Sequence, residues 1–204
     1  MIKNLVFDFG AVLIDWNPRY LYRPYFSDDA RLETFLTQVC DMDWNLQMDA
    51  GRPFAETVPE RIALYPEWEE PIRLYQTHWQ QMIGGEMSGM NELLDRLTLS
   101  GVPMYGLSNW SKETFLPVRV RYARIFNHLR GYVLSGEECL TKPDPRIYQL
   151  LLHRYRLLPA ETLFIDDSPK NVEGALAVGM QAVQYQSAEQ LELYLVEKGI
   201  LQKK

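Results

Sequence analysis

Cysteine is scarce in this chain: its 204 residues include only Cys40 and Cys139. Two cysteines cannot build a disulfide framework, and a reducing compartment is the simpler expectation. The three histidines, His78, His128 and His153, show no ligand spacing, which argues against a histidine-bound metal. Positive charge is also in deficit, with 21 Lys and Arg against 27 Asp and Glu and a net charge of −6. A nucleic-acid binder needs an excess of positive charge, so that class is set aside. No apolar run approaches the ~18 residues of a membrane span. The apolar start of the chain carries Asp8 and Asp15 and lacks a small-residue cleavage site, so no signal peptide is expected. The expectation is a cytoplasmic protein without nucleic-acid or membrane partners. What remains is the composition of an ordinary globular protein: 47% apolar, 24% charged and 12% aromatic residues.

Strand-like runs alternate with amphipathic stretches over the second half, the pattern of a parallel α/β sheet. Ile2 to Phe7 reads as a buried strand broken at Asp8 and Gly10. Val102 to Leu107 reads as a second, Gly131 to Leu134 as a third, Thr162 to Ile165 as a fourth and Met180 to Tyr185 as a fifth. Met90, Leu93, Leu94 and Leu97 fall at helical spacing, with Ser100 and Gly101 marking the stop. A last helix starts at Ser187, with Gln190 three residues on, and stops at Gly199.

Residues 17–87 differ. Asp28 to Val39 and Glu69 to Met82 read as helices, no strand is evident, and Trp16, Trp44, Trp68 and Trp79 lie in or beside the stretch. Gly84, Gly85, Ser88 and Gly89 read as a returning linker. The expected architecture is therefore a Rossmann-like, doubly wound parallel sheet formed by 1–16 and 88–204, with an inserted all-helical cap subdomain over 17–87. Trp44, Gln47 and Met48 read as the bundle's own core, and Cys139 as a small core filler.

In an open α/β sheet ligands bind beyond the carboxyl ends of the strands. Three expected strands end on Asp8, on Ser108 and on the pair Asp166 and Asp167, while Lys142 stands at a helix start. Three carboxylates with a hydroxyl and a lysine suit magnesium and a phosphoryl group, because magnesium takes a few hard oxygen ligands and keeps places for water or phosphate oxygens. Asn171 either backs this cluster or faces solvent in the first turn of a helix. Each residue also has a plain structural reading: Asp8 as a turn cap, Ser108 as a strand terminator, Lys142 as a solvated lysine, and Asp166 to Pro169 as a helix start.

Four segments together carry a resemblance. Val6-Phe7-Asp8-Phe9-Gly10 running to Asp15, Leu107-Ser108-Asn109, Lys142-Pro143-Asp144-Pro145 and Phe164-Ile165-Asp166-Asp167-Ser168 are similar, in order, to the four motifs of the haloacid dehalogenase superfamily. The resemblance spans essentially the whole chain, and the helical stretch lies where that family carries its cap. It implies a magnesium-dependent phosphatase acting on a small phosphorylated metabolite, sugar phosphates included, through an aspartyl-phosphate on Asp8. Ser108 and Asn109 would bind the phosphoryl oxygens. Lys142 would offset charge on nucleophile and substrate. Asp8, the Gly10 carbonyl, Asp166 and Asp167 would hold Mg2+.

The chain departs from the pattern at Gly10, where superfamily phosphatases usually carry a second aspartate as general acid and base. A positioned proton donor typically contributes ~10²–10⁴-fold. Three readings stay open: a substrate with a better leaving group, a cap carboxylate among Asp43, Asp49 and Glu56 in the acid's place, or a site without catalysis. A subgroup resembling bacterial sugar-phosphate phosphatases also has glycine here. Two alternatives accompany the phosphatase reading. A 2-haloacid dehalogenase needs no acid, but gives no reason for two adjacent carboxylates that repel without a cation. A silent phosphometabolite- or protein-binding module is the other.

Overall fold

The computed structural model describes residues 1–203. Its strands are β1 (Asn4–Phe7), β2 (Ile14–Trp16), β3 (Ile83–Glu86), β4 (Met104–Ser108), β5 (Tyr132–Leu134), β6 (Thr162–Asp166) and β7 (Gln181–Gln184). Five of them form a parallel sheet in the order β5-β4-β1-β6-β7. Every residue of β4 and β6 is buried, which is why these segments read as continuous apolar runs: helices cover both faces. Alternate residues serve opposite faces. Leu5, Phe7, Leu163 and Ile165 point into one apolar cluster, with Leu93, Leu94 and Leu97 of the helix Met90–Ser100. Val6 and Phe164 point into the other, with Ile147, Tyr148 and Leu151 of the helix Pro145–Tyr155. The chain winds from β1 outward to β4 and β5, then returns to place β6 and β7 on the other side, so the order reverses at β1. That reversal opens a crevice at the strand ends, where Asp8 stands.

The expected strands are present, most trimmed by one or two residues at their ends, and the order of elements is as expected. The stretch after β1 holds a correction. Gly84 and Gly85 are no linker: they belong to β3, which pairs antiparallel with β2 through Ile14 to Glu86, Asp15 to Gly85 and Trp16 to Ile83. Such short strands carry too few alternating side chains to show a period of two. Between them run the helices Arg19–Tyr22, Asp29–Thr34, Met42–Asp49, Phe54–Leu64 and Glu69–Thr77. The helix expected to Val39 widens into a π turn over Phe35–Val39, where Cys40 N–H bonds the Phe35 carbonyl at 2.7 Å. The helix expected to Met82 stops at Thr77 and resumes as a 3₁₀ turn over Trp79–Met82. Trp44 and Met48 are buried in this helical layer, as expected of its core. Cys139 is exposed, not a core filler, because it ends a one-turn helix in the left-handed region at φ 55°.

Phe9, next to the candidate nucleophile, is packed by Trp110, Phe115, Phe126 and Tyr132 at centroid distances of 5.0 to 6.5 Å. Gly106 of β4 makes room for it: a Cβ there would stand 2.3 Å from the Phe9 ring. Four aromatic neighbours leave that ring nowhere to go. Gly106→Ala is therefore expected to destabilise the fold by about 1–3 kcal/mol through overpacking, read as a lowered midpoint in urea unfolding.

Candidate active site

β1 and β6 are neighbours in register, Phe7 opposite Ile165, so Asp8 and Asp166 emerge side by side. Lys142, on the loop before the helix Pro145–Tyr155, inserts its ammonium between them. Nζ lies 2.9 Å from Asp8 Oδ1 and 2.6 Å from Asp166 Oδ2, with the Lys142 side chain wholly shielded from solvent. Asn109, at the end of β4, holds the Lys142 backbone at both ends: its Oδ1 accepts from Lys142 N–H at 2.8 Å and its Nδ2 donates to the Lys142 carbonyl at 3.0 Å. The residue expected against phosphoryl oxygens is thus engaged in positioning the lysine. Asn171 faces the cluster, not solvent, donating from Nδ2 to Asp166 at 3.0 and 3.2 Å. Ser168 N–H donates to Asp166 Oδ1 at 2.8 Å. Phe9 N–H donates to Asp8 Oδ1 at 2.7 Å.

Carboxylate oxygens of Asp8, Asp166 and Asp167 lie within 4.8 Å of one another. Burial pushes the Asp8 carboxyl up to about 7, Lys142 pulls it down, and the Asp166 carboxylate raises it again. Burial alone would lower the Lys142 ammonium, but Asp166 and Asp8 outweigh it and hold it above its ordinary value. Partial burial and Asp166 raise Asp167 as well. Three carboxylates share one ammonium, and the excess of hard anionic oxygen fits a divalent cation such as magnesium. Ser108 Oγ is buried with no hydrogen-bond partner, although it is near enough to Asp8 to favour its ionised form. A buried hydroxyl left unpaired is costly, and a ligand oxygen would satisfy it.

Asp8, Gly10, Asn109, Lys142 and Asp167 line one cavity of about 480 Å³. Its far walls come from the helical layer and the strand ends: Trp16, Asp43, Asn45, Leu46, Asp49, Trp79 and Trp110. The indoles of Trp16, Trp79 and Trp110 were not singled out from the sequence as site residues, since nothing in a lone tryptophan tells a cavity wall from a core. A wider depression of about 1060 Å³, lined by Gln76, His78 and Arg121 among others, contains none of the acidic cluster. Of the three carboxylates weighed in the helical layer, Asp43 and Asp49 reach the cavity. Glu56 does not line it and sits 3.7 Å from Arg52.

The family model described as haloacid dehalogenase-like hydrolase matches residues 29–179. The chain belongs to that family. Among curated relatives, this hydrolase is 27% identical over 180 residues to a sesquiterpene phosphatase of Aspergillus oryzae, covering 87% of each chain. Among solved structures it is similar to a predicted HAD-like family hydrolase of Porphyromonas gingivalis, with a TM-score of 0.73, 21% identity and full coverage of both chains. A HAD family enzyme of Bacteroides thetaiotaomicron, in complex with magnesium and inorganic phosphate, aligns with a TM-score of 0.67 at 22% identity, over 92% of this chain and 96% of that one. These structures share the fold of the hydrolase.

Two measurements test the site's electrostatics. In the presence of chelator, Lys142→Met is expected to cost about 3–5 kcal/mol in unfolding free energy, because it strands two buried carboxylates. The second concerns Asp49, whose carboxyl burial raises to about 7 against the pull of Ser111 N–H, Asn45 and Lys142. A carboxyl raised on folding binds its proton more tightly in the native state. Its stabilising contribution is full below pH ~4 and lost as pH climbs through about 7. Unfolding of Asp49→Asn across that window should therefore show a shallower loss of stability with pH than the unsubstituted chain.

Proposed function

We propose that this hydrolase cleaves small phosphate monoesters through an aspartyl-phosphate on Asp8. The observation that carries the reading is the Lys142 ammonium locked between Asp8 and Asp166 at the wall of a cavity, with Asp167 and an unpaired Ser108 hydroxyl beside it. The relative's name, a sesquiterpene phosphatase, agrees with phosphate-ester chemistry. Phe9 N–H and the Lys142 ammonium both bond Asp8 at Oδ1. Oδ2 is the attacking oxygen: it forms the O–P bond as the ester oxygen departs. Ser108 Oγ donates to a phosphoryl oxygen, and Lys142 offsets negative charge on the nucleophile and the transferring group.

Asp8, Asp166 and Asp167, with the Gly10 carbonyl, are the residues that would hold magnesium. Bound there, the ion supplies the positive charge that lets a carboxylate approach a phosphate dianion. Asn171 and Ser168 N–H hold Asp166 in place for it. The helical stretch 17–87 serves as a cap over the core formed by 1–16 and 88–204, and it carries Trp79, Leu46 and Asp49 to the cavity. Three indoles around the cavity favour an ester whose organic part offers a ring or apolar face, sugar phosphates among them. A dehalogenase would give no reason for the carboxylate that Asp167 adds beside Asp166, since one ammonium already pairs with Asp8 and Asp166.

Asp8→Asn is expected to lower magnesium-dependent hydrolysis of p-nitrophenyl phosphate roughly 10⁴–10⁶-fold while the melting temperature stays close to the parent's. Chelator should abolish the parent's turnover. Rapid quenching of the parent should trap phosphate bound to the chain at Asp8. Turnover that survives the substitution, or a chain never labelled, would remove the covalent mechanism.

A further inference from the structure

An alkoxide leaves phosphorus slowly unless it is protonated as the bond breaks. Resting on the phosphatase reading above, the question is which side chain supplies that proton. The carboxylates lining the cavity are Asp8, Asp43, Asp49 and Asp167. Asp8 is the nucleophile and Asp167 belongs to the metal set. Lys142 is tied to both Asp8 and Asp166 and is held in its charged form. Asp43 is exposed at the rim. Asp49 differs from all of these. It is part-buried on the cavity wall at the end of the helix Met42–Asp49. Its Oδ2 accepts from Asn45 Nδ2 at 2.8 Å, and Asn45 in turn accepts from the hydroxyl of Tyr75. Its carboxyl also takes the backbone N–H of Ser111, three residues beyond Ser108, and its carbonyl accepts from Ser135 Oγ. The carboxyl is thereby fastened to the loop that follows the strand bearing Ser108.

We propose that Asp49 is the general acid and base of the reaction, delivered to the cavity by the helical layer. In the first step the O–P bond from Asp8 forms, the P–O bond to the leaving group breaks, and the Asp49 proton moves to the departing oxygen, releasing an alcohol. In the second step water attacks phosphorus and gives a proton to the Asp49 carboxylate, while the Asp8 O–P bond breaks and inorganic phosphate leaves. Both residues return to their starting states. The groups facing the Asp49 carboxyl are Asn45, the Ser111 N–H, Tyr75 and, at longer range, Lys142. Only the last is cationic, and burial keeps a proton on the acid up to about pH 7. Gly10 lines the same cavity, and a Cβ placed there meets nothing within 4 Å, so a carboxylate introduced at that position has room to take over the task.

The test compares kcat/KM for p-nitrophenyl phosphate, phenyl phosphate and a primary-alcohol phosphate, all with magnesium. This ratio reports the step that breaks the ester bond. Asp49→Asn is expected to lose about 10²–10⁴-fold on the alkyl ester and less than about tenfold on p-nitrophenyl phosphate. Adding Gly10→Asp to Asp49→Asn should recover alkyl-ester hydrolysis by about tenfold or more, which a merely structural Asp49 would not allow. A loss of equal size on all three esters that Gly10→Asp fails to repair overturns the proposal, as does an unchanged alkyl-ester rate. An unsubstituted chain that hydrolyses none of the three overturns the phosphatase reading, and this assignment with it.

Discussion

The ammonium of Lys142, buried between Asp8 and Asp166, sets the terms for the rest of the molecule. A lysine with 2% of its surface exposed is tolerable only when paired, and two carboxylates this close are tolerable only around a cation. The pairing demands that three separate segments converge to within hydrogen-bond distance. Parallel register between β1 and β6 brings the two aspartates level. Asn109 at the end of β4 clamps the lysine's backbone from the other side of β1. The Phe164 ring lies 5.3 Å from the ammonium and closes the position with its π face. Strand order therefore serves the charge cluster, since β4, β1 and β6 side by side put the clamp, Asp8 and Asp166 in a row.

Much of this was legible in the residues because buried parallel strands announce themselves as short apolar runs, and polar residues at their ends mark the edge of the sheet. Asp8, Ser108, Lys142, Asp166 and Asp167 were found in this way and by resemblance, and they do meet. What escaped were relationships that depend on direction. Asn109 and Asn171 each could have faced outward, and only the folded chain shows one gripping Lys142 and the other Asp166. The β2–β3 pair was hidden because Gly84 and Gly85 signal a turn more strongly than a four-residue strand signals itself. Its effect is considerable: by pairing Trp16 with Ile83 it fastens both ends of the helical stretch to one point beside Asp8.

That attachment fixes how the helical layer meets the sheet. Trp16 and Trp79 stand near its two ends and line the cavity together with Trp110, which belongs to the loop after β4. Trp79 and Trp110 are in contact, their ring centroids 5.6 Å apart. The Asp49 links to Ser111 and Ser135 and the bond from Phe54 N–H to Glu113 at 2.9 Å tie the layer to the core from another direction. The cavity is thus enclosed by contacts between the two halves, and its walls shift if either half does.

Asp8 and Asp49 are both pushed up to about 7 by burial, yet their company divides their work. Asp8 has an ammonium 2.9 Å from its carboxylate, a partner that rewards the charged form and so favours a nucleophile. Asp49 is in contact with neutral donors, Asn45 and the Ser111 N–H, which reward that form far less and leave its proton available to a leaving group. Two like carboxyls given unlike neighbours is how the proposed site would obtain a nucleophile and an acid at the same pH. Here the neighbours come from different layers: the sheet edge supplies the charged setting and the helices the neutral one. In the proposed reaction, a chain with glycine at Gly10 keeps its nucleophile fixed in the sheet while the proton donor arrives with the helical layer that lines the cavity.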